Sequence, residues 1–283
     1  MDSQPLITAA ELAGQLADPL SAPVVLDVRW AGPGSAGGRE AFQQGHIPGA
    51  RFVDAMKVLS EPEGDGSGGR HPLPAPERFE SGMRAAGVIS DRAVVVYDDW
   101  NSISASRAWW LLRHFGHEKV AVLDGGMSAW KSAGHAVEEG VNEGVEVGEF
   151  VATPPRLTVL DAEAAARMAA SGVLADGRPA SRFRGEGETV DPVAGHIPGA
   201  RSLPALGLVG EDKTFLPPQE LRDRFTAIGV DGHVQAATYC GSGFQACHVA
   251  LAAAVAGVTD DLGVYAGSWS DWITDSSRPT AKD

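Results

Sequence analysis

Cysteine is scarce in this chain: Cys240 and Cys247 are the only two among 283 residues. Folds that depend on a disulfide framework carry many more, so that class is excluded, and a reducing compartment would keep both residues as thiols. Long apolar runs are missing too. No stretch approaches the roughly 18 residues that a membrane span needs, and Met1-Asp2-Ser3-Gln4-Pro5 has neither the basic region nor the apolar core of a secretory signal. A soluble, cytoplasmic protein with no membrane partner is expected. Positive charge is likewise in deficit, with 23 Lys and Arg against 37 Asp and Glu and a formal net charge of −14. Long-range repulsion then opposes nucleic acid or an anionic membrane as partner, and the acidic surface reads as a solvated face that aids solubility. Metal-ligand spacing is absent as well: there is no Cys-x-x-Cys, and His248 beside Cys247 would point away from it on a helix.

What the chain does have is an internal repeat. Gly45-His46-Ile47-Pro48-Gly49-Ala50-Arg51 returns as Gly195-His196-Ile197-Pro198-Gly199-Ala200-Arg201. Val25-Leu26-Asp27-Val28-Arg29 precedes the first copy and Val173-Leu174-Ala175-Asp176-Gly177-Arg178 the second, both with the character of short buried strands. Further on the spacing tightens. Gly125-Gly126-Met127-Ser128-Ala129-Trp130 matches Gly267-Ser268-Trp269-Ser270-Asp271-Trp272, so the first copy must hold an insertion between Ala50 and Pro76. There Glu61-Pro62-Glu63-Gly64-Asp65-Gly66-Ser67-Gly68-Gly69 has the composition of an exposed flexible loop.

Within each copy, β-rich apolar runs alternate with helix-period segments. Residues 93–97 and 120–123 bracket a helix predicted around 104–115, and residues 235–239 and 262–265 bracket one around 244–256. Parallel neighbours need such crossovers, so the pattern predicts an α/β fold of two tandem domains, each a mostly parallel sheet flanked by helices. With 43% hydrophobic residues the chain can fill two modest cores. The expected division is a first domain over residues 1–140, an acidic, glycine-rich linker over 141–156 ending in Pro154-Pro155, and a second domain over 157–283.

One position separates the copies chemically. After the central strand the first has Asp98 and the second Cys240, at the carboxyl end of a strand, where α/β sheets place ligands. Cys240 opens the run Cys240-Gly241-Ser242-Gly243-Phe244-Gln245-Ala246, whose glycines let backbone N–H groups curl inward beneath the start of the following helix. Such a loop would favour an anionic sulfur. The first domain, lacking the nucleophile, is expected to be catalytically inactive.

The repeated His-Ile-Pro-Gly-Ala, the Asp-Gly-Gly and Gly-Ser-Trp segments and the Cys240 loop together resemble the rhodanese superfamily of tandem-domain sulfurtransferases, over nearly the whole chain. The resemblance implies a sulfur atom carried as a persulfide on Cys240, taken from a small-molecule donor and passed to cyanide, a thiol or a protein thiol, with no metal or organic cofactor. Gly241-Ser242-Gly243 is similar to the mercaptopyruvate enzymes, whereas thiosulfate enzymes usually place basic residues after the cysteine; 3-mercaptopyruvate is therefore the expected donor, with thiosulfate second. Phe244-Gln245 stands where that family has Val-Thr, so both are expected to shape the donor pocket. Ser242, Asp54 and His71 resemble a proton-handling set. Arg182, in Ser181-Arg182-Phe183-Arg184-Gly185, resembles the arginine that holds the donor's carboxylate. The family's second substrate arginine is replaced by Thr189, and Arg184 is the candidate substitute.

Other residues read as structural: His46 and His196 as parts of a shared turn, Cys247 as a small core residue, and Trp100, Trp109, Trp110 and Trp130 as packing, with Trp100 the one nearest a pocket wall. A cysteine phosphatase would need arginine six residues beyond the nucleophile, where this chain has Ala246. A noncatalytic sulfur carrier, which would also use Cys240, stays open beside the enzyme.

Overall fold

The computed structural model describes residues 4–30, 37–141 and 146–283, so residues 142–145 of the expected linker lie outside the described residues. Contacts divide the chain into two units. The first comprises Met1–Glu61, Pro74–Arg156 and Glu211–Phe215, the second Pro62–Leu73, Leu157–Gly210 and Leu216–Asp283.

In the first unit β1 (Leu6–Ile7), β2 (Val24–Asp27), β3 (Arg51–Phe52), β4 (Val94–Tyr97) and β5 (Val120–Leu123) form a sheet in the order β1-β5-β4-β2-β3. In the second, β6 (Val173–Asp176), β7 (Arg201–Ser202), β8 (Ala236–Tyr239) and β9 (Gly263–Val264) form β7-β6-β8-β9. Every strand pairing is parallel. A parallel bridge from Val159 to Val264 stands where β1 stands in the first unit. The central strand β4 is Val-Val-Val-Tyr and wholly buried, as a parallel strand covered on both faces requires. Each central strand feeds a buried helix, Ile103–His114 or Phe244–Val255. The latter is apolar nearly all round, and Cys247 lies fully inside it. Among the described residues no helix is long and apolar enough to cross a membrane.

The repeated motifs meet in one polar network per unit. At the end of β6 the Asp176 carboxylate accepts from Arg178 Nε at 3.0 and 3.1 Å and from Nη2 at 2.6 Å, and neither side chain has any exposure. The same Nη2 donates to the Gly195 carbonyl at 2.7 Å, and the Ile197 N–H donates to the Tyr239 hydroxyl at 3.2 Å. Burial works against the Arg178 charge, but Asp176 beside it outweighs this and raises the guanidinium above its ordinary range. In the first unit Arg29 clasps Asp27, donates to the Gly45 carbonyl at 2.8 Å, and Tyr97 joins Asp27 at 2.7 Å. His46 and His196 are held alike, each stacked on a phenylalanine (Phe42, Phe183) with ring centroids 3.8 Å apart and hydrogen-bonded through Nδ1 to that residue's carbonyl.

The reading of residues 61–69 as an exposed flexible loop needs correction. Gly64 and Asp65 are exposed, but the end of the stretch is fixed to the second unit. Gly68 N–H donates to Asp271 Oδ1 at 3.0 Å and Arg70 N–H to Ser270 Oγ at 3.1 Å. Gly69 has φ +77°, and a β-carbon there would stand 2.3 Å from the Gly267 carbonyl oxygen, so only glycine permits the approach. The glycines serve contact, not freedom.

Arg178→Leu would leave the Asp176 charge buried without its partner, a loss expected at about 3–5 kcal/mol. Denaturant unfolding checks this, and the double variant Asp176→Asn, Arg178→Leu should lose less. An unchanged midpoint for the single variant would show that the pair is not needed.

Candidate active site

Cys240 is the first residue beyond β8, 2% exposed, with the Gly243 N–H donating to its Sγ at 3.1 Å. Gly243 has φ +94°, a conformation that turns the chain into the helix Phe244–Val255 and aims its amide back at the sulfur. Gly241 is buried beside Cys240.

Ser268 holds the other side of the loop. Its Oγ accepts from Cys240 N–H at 3.0 Å, donates to the Tyr265 carbonyl at 2.9 Å and lies 3.9 Å from Sγ. Ser268 has φ +57°, while its counterpart Gly126 has φ +55°. A serine kept where the first unit uses glycine retains backbone strain, the kind of outlier that clusters at functional sites. The motif quoted from the sequence contains Ser268, but nothing in it signals the backward reach of the hydroxyl.

Ser242 Oγ shares a hydrogen bond with His71 Nδ1 at 2.8 Å, and the His71 ring stands edge-on to Phe244 with centroids 5.2 Å apart. His71 comes from the 62–73 segment that belongs to the second unit. Asp54 belongs to the first unit, where its carboxylate caps the short helix Ala55–Val58 by accepting from Met56 and Lys57 N–H groups at 3.1 and 3.3 Å. Gln245 is half-buried on the first turn of the loop's helix.

Arg182 is ordered by two acids. Its Nε donates to Glu188 at 2.8 Å and its Nη2 to Asp191 at 2.5 Å, and Asp191 also pairs with Arg70. Burial alone would raise the Glu188 carboxyl, but Arg182 and the Val190 and Asp191 N–H groups lower it below its ordinary value. Arg70 Nη2 and Arg182 Nη1 lie 3.4 and 3.5 Å from where a β-carbon on Gly241 would be. Arg184, the expected substitute for a second substrate arginine, instead pairs with Glu186 at 2.8 Å on the surface, and Thr189 is exposed. Arg70, Glu188 and Asp191 escaped the sequence reading, because Arg70 follows a stretch whose glycines resemble a linker.

The matching loop of the first unit is closed by its own side chain. Asp98 Oδ1 accepts from Trp100 and Ser102 N–H groups at 2.8 and 3.0 Å, and Oδ2 from Ala105 N–H at 2.9 Å. Burial pushes its carboxyl up to about 6, partly countered by these amides. The raised value means that protonation favours the folded state. That contribution is full below about pH 4 and is lost as pH rises through about 6. Asp98→Asn should flatten this part of the stability profile measured by unfolding at a series of pH values. Asp98→Ala strands buried N–H groups and should lose about 1–3 kcal/mol. A stability profile identical in shape for wild type and Asp98→Asn would refute the assignment.

The Rhodanese-like domain family matches residues 8–133 and 160–275. A Pseudomonas aeruginosa protein provisionally named as a 3-mercaptopyruvate sulfurtransferase is 43% identical over 99% of both chains. A Mycobacterium tuberculosis protein provisionally named as a thiosulfate sulfurtransferase is 42% identical over 99% of this chain and 97% of its own. Among solved structures, SseA of Escherichia coli, described as a 3-mercaptopyruvate sulfotransferase of the rhodanese fold, is 35% identical with a TM-score of 0.81, covering 94% of this chain and 99% of its own.

Proposed function

The chain belongs to the two-domain rhodanese-like sulfurtransferases, and on that premise we propose that Cys240 takes sulfur from 3-mercaptopyruvate as a persulfide and hands it to cyanide or a thiol. The observation that carries this reading is the pair of loops. Asp98 extends an anionic group two atoms beyond its β-carbon into a ring of backbone N–H donors. A persulfide on Cys240 extends its outer sulfur equally far, in a loop whose Gly243 N–H already faces Sγ. Ser268 positions the loop instead, its Oγ accepting from the Cys240 N–H while its hydroxyl hydrogen goes to the Tyr265 carbonyl.

In the first half-reaction the Cys240 thiolate attacks the donor's thiol sulfur. The S–S bond forms, the donor's C–S bond breaks, and its electron pair passes to carbon as the enolate of pyruvate, which takes a proton to give pyruvate. Ser242 and His71 are the groups placed to deliver that proton. In the second, cyanide takes the outer sulfur as thiocyanate, the S–S electron pair returns to Cys240 and the persulfide proton is released. Arg182 and the flanking glycines Gly241 and Gly243 bind, and Phe244 with Gln245 shapes the donor side. The uncharged loop favours 3-mercaptopyruvate over dianionic thiosulfate, the donor named for the 42% identical relative. A protein thiol is a further acceptor. Neither cysteine is in a disulfide, which suits the reducing cytoplasm.

Turnover of each donor with cyanide, followed as thiocyanate, tests the proposal. The expected result is faster turnover with 3-mercaptopyruvate, none in Cys240→Ser, and one added sulfur of about 32 Da on Cys240 after donor alone. Persulfide on Cys247, or turnover in Cys240→Ser, would overturn it. Sulfur loading without turnover would favour the carrier reading. His71→Ala should lower kcat by about 100-fold with 3-mercaptopyruvate, checked by steady-state kinetics, since general acid–base help is of that size.

A further inference from the structure

We infer that Arg70 is the principal clamp for the carboxylate of the donor, with Arg182 as its auxiliary, an assignment that rests on the function proposed above. Arg182 spends its Nε and Nη2 on Glu188 and Asp191, leaving Nη1 toward Gly241. Arg70 is held differently. Its Nη1 alone is tied to Asp191, whose side chain is fully buried. Its Nη2 stands 3.4 Å from the β-carbon position of Gly241, and its Nε is buried with no partner among the described residues. Nε and Nη2 form the edge of a guanidinium whose two N–H bonds run parallel and match both oxygens of a carboxylate. Nη2 is thus left without an acceptor beside the residue that follows the nucleophile, with the unpaired Nε buried behind it on the same edge.

The surroundings keep that edge in place. Arg70 N–H is pinned to Ser270 Oγ, and the next residue, His71, is bonded to Ser242. Glu188 and Asp191 balance the two arginines, so a donor carboxylate would meet guanidinium ends that are oriented by acids on their other side. The segment 62–73 therefore supplies both an anion clamp and a proton-handling histidine, and Arg70 fills the role that Thr189 leaves vacant.

The test compares Arg70→Gln and Arg70→Lys with wild type on 3-mercaptopyruvate, on mercaptoacetone, in which a methyl group replaces the carboxylate, and on thiosulfate. For Arg70→Gln the KM for 3-mercaptopyruvate should rise about 10- to 100-fold, the size of a lost charged hydrogen-bond pair, with kcat changed far less. Lysine should restore only part, because a point charge cannot reproduce the fork. Mercaptoacetone kinetics should stay as in wild type, which also shows that the variants fold. An unchanged KM for 3-mercaptopyruvate overturns the assignment, as does an equal loss with mercaptoacetone, which would make Arg70 merely structural. A rise confined to thiosulfate overturns it in favour of a sulfonate site. Calorimetric binding of 3-mercaptopyruvate to Cys240→Ser protein, with and without Arg70→Gln, separates the two readings: binding that depends on Arg70 in a protein whose wild type transfers no sulfur would leave the clamp standing and remove the function.

Discussion

The buried Asp176–Arg178 pair is the constraint on which the second unit depends. Two charges with no exposure lose their hydration, and neighbouring hydrogen bonds offset part of that cost. Here the Gly195 carbonyl accepts from Arg178 Nη2, and the Tyr239 hydroxyl, which accepts from the Ile197 N–H, bonds to Asp176, while Arg178 Nη1 is buried with no partner among the described residues. The pair therefore ties together the end of β6, the turn after His196 and the last residue of β8. Cys240 is the next residue. Its position is set by an ion pair with no exposure, which explains why the same Asp-x-Arg, Gly-His-Ile-Pro-Gly and Tyr appear in both units although only one has a cysteine.

The two units share that frame and differ in what fills it. In the first, Asp98 supplies a carboxyl group of its own, and Gly126 packs so closely on the Asp98 backbone that a β-carbon would stand 2.3 Å from its carbonyl oxygen. In the second, the shorter thiol leaves room, and Ser268 occupies the same left-handed position with a hydroxyl beside the sulfur. A loop that can bind an anion thus becomes a structural plug in one copy and, on the function proposed above, a place for transferred sulfur in the other. The fold is kept while the loop is rewritten: Asp98-Asp99-Trp100-Asn101-Ser102 and Cys240-Gly241-Ser242-Gly243-Phe244 differ at every position. Burial of a carboxyl group in such a dry loop raises Asp98 above its ordinary value.

Much of this was legible because it is local. The repeated string, the apolar runs at β4 and β8 and the glycine-flanked Cys240 all lie within short windows, and periodicity with turn chemistry places them. What was not legible depends on distant pairing. Gly69 looks like a linker residue because composition cannot show that its missing side chain admits the Gly267 carbonyl. Arg70 and Arg182 are far apart in sequence, and only the fold shows that Asp191 joins them. Arg184 was the natural substitute by proximity in sequence, but on the helix Ala180–Arg184 it falls on the exposed side and meets Glu186.

On the assignment proposed above, the charge distribution gives the arginine pair its purpose. A chain of net charge −14 repels an anionic donor at long range, and that repulsion fades beyond about 8 Å at physiological salt. Recognition must then be short-range and fixed in direction. Two arginines oriented by the buried acids Glu188 and Asp191 meet that requirement without making the surface basic. The site can select an anion by geometry while the protein as a whole stays acidic. Basic residues within the Cys240 loop would bring the same charge nearer the sulfur, but would favour donors whose negative charge sits at the transferred atom. Placing the charge beside Gly241 instead favours a donor whose anionic head is separated from its sulfur, as it is in 3-mercaptopyruvate.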